Sequence, residues 1–242
     1  MNQTLQDKIV LITGAAAGIG RATAVLCRER GATVIIADLD ETAGVRTASE
    51  VGAEFRCVDI TSEDSVRKLC ASIEERYSRL DVLIQAAGVL LGAYTPLSDF
   101  DLATWQKVLD VNLTGTFLCA KHTAPLMQMA GGGVMILVSS GAAVGGSSSF
   151  AYGSSKGGMN SLALSLQRNL ETDNIRVNVV MPGNIDTAMK RSVINADAMK
   201  RGLESSSLLA QSDLGDPIGV ARVLAWLASD EADYVRGVMT TR

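Results

Sequence analysis

Ile9-Val10-Leu11-Ile12-Thr13-Gly14-Ala15-Ala16-Ala17-Gly18-Ile19-Gly20 is the stretch that decides how this chain folds. Its first four residues are apolar and mostly β-branched, as in a buried strand, and the pattern from Gly18 to Arg30 is that of an amphipathic helix. Between them lies a turn spaced by glycines. Gly14, Gly18 and Gly20, with Ile19 among them, suit a tight connection whose backbone can approach a pyrophosphate resting on the helix N-terminus. Strand before and helix after make this signal far more specific than the glycines alone. Arg21-Ala22 follows Gly20, where a Walker-type loop would need Lys and then Ser or Thr.

The same alternation continues along the chain. Lys8–Thr13, Thr33–Ala37, Glu54–Val58, Asp81–Gln85, Val134–Ser139 and Ile175–Val180 read as strands. Gly18–Arg30, Glu41–Val51, Ser62–Tyr77, Asp101–Met129, Phe150–Leu170 and Pro217–Ala228 read as helices. Strands nearly continuous in Val, Ile and Leu belong to a parallel sheet covered on both faces. The expected fold is therefore α/β, a Rossmann-like doubly wound parallel sheet of about seven strands with helices on both faces. No repeat or linker divides residues 1–242, so a single domain is expected, with the stretch 184–216, which has a weak helical pattern, as a mobile lid.

Composition narrows the function classes. Apolar residues make up 47% of the 242 and charged residues 20%, which excludes a disordered chain. A net charge of −4 with scattered Lys and Arg offers no basic stripe for nucleic acid. No apolar run is long enough for a membrane span, and the polar start Met1–Thr4 lacks a signal-peptide core. Cys27, Cys57, Cys70 and Cys119 are isolated and read as small buried hydrophobes of a reducing cytoplasm, not as disulfides or metal ligands. His122 is the only histidine and has no companion for a metal.

Two further constellations carry chemistry. Asp38 ends the second strand, where its carboxylate can accept hydrogen bonds from ribose hydroxyls. A 2′-phosphate there would meet like charge, about 4 kcal/mol per unit-charge pair at ~4 Å. The three alanines after Gly14 supply no cation to offset it, so NAD is expected rather than NADP. Tyr152 and Lys156 are spaced i and i+4, which puts both side chains on one helix face. A free tyrosine titrates near pH ~10, so proton exchange near neutrality needs roughly 4 kcal/mol in favour of the phenolate. A lysine charge about 4 Å away at an effective dielectric of ~20 is of that size.

In order and spacing these elements resemble the short-chain dehydrogenase/reductase family, from about Lys8 to Gly237. The match runs through Thr13–Gly20, Asp59, Ala87-Gly88, Asn112 in Val111-Asn112-Leu113-Thr114-Gly115, Ser139-Ser140, Tyr152-x-x-x-Lys156, and Pro182-Gly183 with Thr187. The sugar, alcohol and 3-oxoacyl reductase members look most alike. The resemblance implies hydride transfer between NAD(H) and the CH-OH or C=O group of a secondary alcohol, sugar or 3-oxoacyl-type substrate. Tyr152 would be the general acid/base. Lys156 would lower the Tyr152 pKa and bind the nicotinamide ribose, helped by the positive oxidised ring. Ser140 would hold the substrate oxygen, and Asn112 would disturb its helix and hold a water leading from Lys156. Asp59 and Ile60 would meet the adenine, Gly88 the adenosine ribose, and Ile185 and Thr187 the carboxamide. A small-molecule substrate and a homo-oligomer, a dimer or homotetramer, are implied as well.

Ser139 competes with Ser140. Ser139 lies thirteen residues before Tyr152, a common family spacing, whereas Ser140 sits at the end of the fifth strand. Met181 and Met189 are candidates for a substrate-pocket lining. The chain departs from the family pattern in three places. Gln85-Ala86-Ala87-Gly88 replaces Asn-Asn-Ala-Gly, losing an amide that braces the sheet. Asn184 and Asp186 bring polarity to a usually apolar loop, which points to a polar substrate. The tail Tyr234–Arg242 lacks the usual final residues, so a short seventh strand and a weakened second subunit contact are expected. The first subunit contact should be kept through Gly115, Gly157, Gly158 and Ala163, small residues on the helices 101–129 and 150–170.

Two rival readings have weaker support in the chain. Gly153-Ser154-Ser155-Lys156-Gly157 matches a hydrolase nucleophile elbow, but that motif needs a strand before it and a histidine after it. His122 precedes it, and Phe150-Ala151-Tyr152 opens a helix. The alternative from another class is a catalytically silent NAD-binding sensor or scaffold, which would have no need of Tyr152, Lys156 or Asn112.

Overall fold

The computed structural model describes residues 3–241; Met1 and Asn2 of the polar start and Arg242 of the tail lie outside the described residues. In chain order the elements are β1 (Ile9–Thr13), α1 (Gly18–Glu29), β2 (Thr33–Asp38), α2 (Glu41–Val51), β3 (Glu54–Cys57), α3 (Glu63–Tyr77) and β4 (Val82–Gln85). Then come α4 (Leu102–Leu109), a π turn (Asp110–Thr114), α5 (Gly115–Met129), β5 (Gly133–Val138), the single-turn α6 (Ala142–Gly145) and α7 (Phe150–Leu170). The chain continues with β6 (Ile175–Met181), α8 (Ala188–Arg201), α9 (Ser205–Gln211), α10 (Pro217–Leu227) and β7 (Gly237–Thr240).

The strands form one seven-stranded parallel sheet in the order β3-β2-β1-β4-β5-β6-β7. Alternation along each strand divides the core in two. Ile9 and Leu11 face one apolar cluster with Leu83, Leu118 and Met159, while Val10 and Ile12 face the other with Ile84, Ala24 and Leu224. Helices on both faces thus explain why β1 is buried at every position. The order reverses between β1 and β4, and a ligand crevice forms outside the strand ends at such a switch point.

Helix starts follow local chemistry. Asp40, Ser62, Asp101, Ser149, Thr187 and Asp216 each accept a backbone N–H in the first turn of α2, α3, α4, α7, α8 and α10. Helix α1, at the glycine turn, has no such cap: Ala17 precedes it and no side chain accepts from its first turn.

The structure refines several expectations. The helix expected over 101–129 is interrupted by the π turn around Asn112, the local disturbance anticipated at that residue. The stretch 184–216 is largely helical, as α8 and α9. The small residues on α5 and α7 mostly serve this chain's own packing. A Cβ on Gly115 would lie 2.8 Å from Ile60, one on Gly158 would lie 2.9 Å from Leu113, and Ala163 is buried. The seventh strand is short, four residues paired with Asn178–Met181. Cys27, Cys70 and Cys119 are buried, but Cys57 at the open end of β3 is exposed.

Candidate active site

The crevice at the switch point has two connected parts. The first, a cleft of about 440 Å³, runs from Gly14, Gly18 and Gly20 past Asp38 to Asp59 and Ile60. The second, a chamber of about 460 Å³, holds Ser139, Ser140, Tyr152, Lys156, Pro182, Gly183 and Ile185. Ile19, Ala86, Gly88, Val138, Thr187 and Met189 border both, so the two are continuous. Every sequence-predicted site residue except Asn112 and Met181 lines one or the other.

The glycine turn is shaped for close approach. Gly14 and Gly18 have φ of +65° and +55°. A Cβ on Gly14 would come within 2.5 Å of the Ala87 Cα, which is backbone and cannot move aside. Asp38 braces the turn by accepting the Ala16 N–H at 2.9 Å, and its other oxygen accepts from Asp40 N at 3.1 Å. Because α1 starts without a side-chain cap, its first amides remain for an anion, so this end of the cleft fits a pyrophosphate. Asp59 is occupied locally: Oδ1 accepts both the hydroxyl and the N–H of Thr61, which hold its pKa below the usual carboxylate value.

The sheet brace lost with the expected asparagine is rebuilt differently. Buried Gln85 accepts from the Thr13 hydroxyl at 2.7 Å, and Thr13 Oγ1 in turn accepts from Ala87 N at 3.3 Å. The Gln85 Nε2 is buried with no partner.

Asn112 lies beneath the chamber floor, fully buried on the π turn. Its Oδ1 accepts from Val89 N at 2.8 Å, while Nδ2 donates to Val89 O at 2.9 Å and to Ser155 Oγ at 3.0 Å. Ser155 in turn donates to the Tyr152 carbonyl at 2.8 Å within α7, so the Asn112 amide ties α7 to the loop after β4. Gly88 packs against this unit, since a Cβ there would lie 3.2 Å from Asn112 Oδ1 and 3.5 Å from Lys156 Nζ.

Tyr152 and Lys156 share the inner face of α7, the ammonium 5.8 Å from the phenol ring centre. Lys156 donates to the Val138 carbonyl at 2.7 Å. Burial brings its pKa down to about 8. The expected lowering of the Tyr152 pKa by Lys156 does not dominate. Burial raises the phenol above its ordinary value, and only the hydrogen bond with Ser140 pulls the other way. The reason is that both groups are desolvated, so the charge that would favour phenolate is itself disfavoured.

The two serines are turned differently. Ser139 donates to the Lys156 carbonyl at 3.1 Å, whereas Ser140 is bonded to the Tyr152 phenol and accepts from Ala142 N at 3.1 Å. Met189 lines the chamber; Met181 is buried in the core, where its sulfur accepts from Asn160. Thr187 Oγ1 caps α8 and keeps its own proton for donation. An isolated bridge to Gly215 uses the carbonyl of Asn184 and the N–H of Asp186, not the backbone groups of Ile185. Tyr94, Lys190 and Val193 also line the chamber, and nothing in the sequence pattern singled them out. His122 instead meets Glu63 at 2.9 Å on a helix face.

A cavity of about 560 Å³ at the opposite end of the sheet is lined by charged groups, among them the ion pairs Lys8–Asp230 at 3.0 Å and Arg79–Asp81. Arg176 there donates to three backbone carbonyls.

Residues 14–241 match a family model described as enoyl-(acyl carrier protein) reductase. Cis-4-hydroxycyclohexanecarboxylate dehydrogenase of Sinomonas cyclohexanicum is 36% identical, covering 99% of this chain and 96% of that protein. The chain belongs to the short-chain dehydrogenase/reductase family. Cyclopentanol dehydrogenase of Comamonas testosteroni is 32% identical, over 96% of this chain and 94% of its own. The crystal structure of levodione reductase superposes with a TM-score of 0.90 at 27% identity, covering 98% of this chain and 96% of that one. The chain is therefore an oxidoreductase that acts on CH-OH substrates by hydride transfer with a nicotinamide cofactor, and nothing favours the silent scaffold. No helix of the described residues is long and apolar enough to cross a membrane.

Proposed function

We propose that this chain is an NAD-dependent dehydrogenase of secondary alcohols carried on a small carbon ring, with residues 1–242 acting as one catalytic unit. The observation that carries the reading is the convergence of Ser140, Tyr152 and Lys156 in a chamber that opens onto the glycine-lined cleft. Ring alcohols are favoured because the relatives named for cyclohexane and cyclopentanol substrates span almost the whole chain. One of those substrates carries a carboxylate and the other is neutral, so the relatives leave the charge of this substrate open.

In this reading Ser140 holds the substrate oxygen and Tyr152 Oη takes its hydroxyl proton in the oxidative direction. The bound nicotinamide supplies the hydride acceptor and, when oxidised, a positive charge. Lys156 contributes charge beside the phenol and a donor for the nicotinamide ribose. The Asn112 carbonyl accepts from Thr116 Oγ1 at 2.6 Å and has a second lone pair for a water. Gly14, Gly18, Ile19 and Gly20 would hold the pyrophosphate, Asp38 the adenosine ribose, Asp59, Ile60, Ala87 and Gly88 the adenosine end, and Pro182, Gly183, Ile185 and Thr187 the nicotinamide end. Preference for NAD is supported by the charges of the adenosine end, where Asp38, Asp40 and Asp59 face the single cation Lys107 among the described lining residues. Residues 184–216 serve as the lid over the chamber. A homo-oligomer is supported by exposed Phe117 on α5 and Leu164 on α7.

The test is Tyr152→Phe, assayed with cyclohexanol and cyclopentanol at saturating NAD. Turnover should fall by about 10²–10⁴-fold, the usual weight of a general acid/base, while NADH affinity stays within about 3-fold of the parent. Unchanged turnover would remove Tyr152 from the mechanism.

A further inference from the structure

Two of the residues lining the chamber are cations, Lys156 and Lys190, and none of its described lining residues is an aspartate or glutamate. Lys156 is committed at the inner end, bonded to Val138 and set beside the phenol. Lys190 has a different position and no part in proton transfer. It lies in the first turn of α8, its N–H donated to Thr187 Oγ1 at 3.2 Å. Lys190 and Val193, three residues apart, share the helix face turned toward the chamber.

The acids nearby in sequence are engaged by other residues. Asp186 forms a two-bond pair with Arg191 at 2.7 and 2.8 Å, and Asp197 meets Arg201 at 2.9 Å. Lys190 itself is half-buried. An ammonium in such a setting is screened less than one in open water, so it acts on whatever enters the chamber. Close by, Ser147, Ser148 and Asn184 add neutral hydrogen-bonding groups, while Leu90 and Val193 give apolar wall. A neutral ring would use the wall and ignore the cation. A ring with an anionic substituent uses both.

We propose that the substrate carries a carboxylate and that Lys190 is the specificity-determining residue that binds it. This rests on the reading of the chamber as the substrate site of a ring-alcohol dehydrogenase and adds the charge that the substrate bears. Lys190 acts on binding, not on the chemical step.

Calorimetry on the full chain saturated with NADH tests this with cyclohexanecarboxylate and cyclohexanecarboxamide, neither of which has a hydroxyl to oxidise. The carboxylate should bind at least about 10-fold more tightly than the amide, as a charge-assisted hydrogen bond supports. Lys190→Met should weaken the carboxylate by about 10- to 100-fold and leave the amide and NADH within about 3-fold. Lys190→Arg should retain most of the preference. Equal affinity for the two ligands, including no binding of either, overturns the proposal, as does a preference that survives in Lys190→Met. Loss of NADH affinity in Lys190→Met assigns the lysine to the cofactor and overturns it as well. Turnover of ring alcohols is read separately: its absence alongside Lys190-dependent carboxylate binding sinks the ring-alcohol reading and leaves the anion site standing.

Discussion

Tyr152 and Lys156 show how a residue pair can be mutually adjusted by burial. Lys156 drops from 10.5 to about 8 because its charged form is desolvated. Between about pH 8 and 10 the unfolded chain holds a proton there that the folded chain has released, so stability should rise with pH across that window. Above about pH 10 the raised Tyr152 pKa acts in the opposite sense, because the unfolded phenol ionises first. Urea midpoints of the cofactor-free protein and of Lys156→Met at pH 7.5 and 9.5 measure the first effect. The parent should gain on the variant at the higher pH; a constant difference would contradict it. Asp38 offers a second residue-scale test. Asp38→Asn keeps an acceptor for the Ala16 N–H while removing the charge. The kcat/KM ratio for NAD over NADP should drop by about 10- to 100-fold, within what a Coulomb term of about 4 kcal/mol allows. An unchanged ratio would take cofactor choice away from Asp38.

At the scale of elements, the π turn at Asp110–Thr114 does more than bend a helix. It presents the Asn112 amide to both polar groups of Val89 and to Ser155, coupling the loop after β4 to α7. Asn112→Ala would leave buried donors and acceptors unpaired on both sides. A loss of about 2–4 kcal/mol is expected, from the cost of orphaning two buried groups, read as a lower urea midpoint. A loss below about 0.5 kcal/mol, the level of an ordinary surface change, would mean that water replaces the amide. The helices α8 and α9 pose the converse case. Both are regular, and α8 is capped by Thr187, yet they pack chiefly on each other. Their apolar pattern was therefore too weak to separate from a loop in the sequence, where helices reveal themselves by the face they bury.

For the molecule as a whole, the two core clusters are built on the sheet, and the segment 188–211, proposed as the lid, adds no residue to them. Central strands are buried on both faces, whereas Met199 and Leu203 in that segment are exposed. Amide exchange should be fast in 188–211 and slow in β1, β4 and β5, because local opening follows the density of buried contacts. Adding NADH should slow exchange in 188–211 selectively. Uniform protection with and without NADH would argue against a lid.

Much of this was legible along the chain. Ile9–Gly20 announced a strand, a tight turn and a helix, because apolar periodicity and glycine spacing are local properties. Tyr152-x-x-x-Lys156 announced a shared helix face for the same reason, and a short β7 was expected from the tail. Other features depended on neighbours distant in sequence. Whether Ser139 or Ser140 faces the phenol depends on how β5 meets α7, and spacing alone supported either. Gly115 and Gly158 looked like contact points for another subunit until Ile60 and Leu113 occupied the space beside them. The direction of the Tyr152 pKa depended on burial, which no i, i+4 rule contains. By itself the sequence determined the class of fold, the glycine turn between β1 and α1, and the placing of Tyr152 and Lys156 on one helix face. Only the tertiary structure decided which side chains enter the chamber, Lys190 among them, because a shared cavity is made by segments that sequence spacing does not relate.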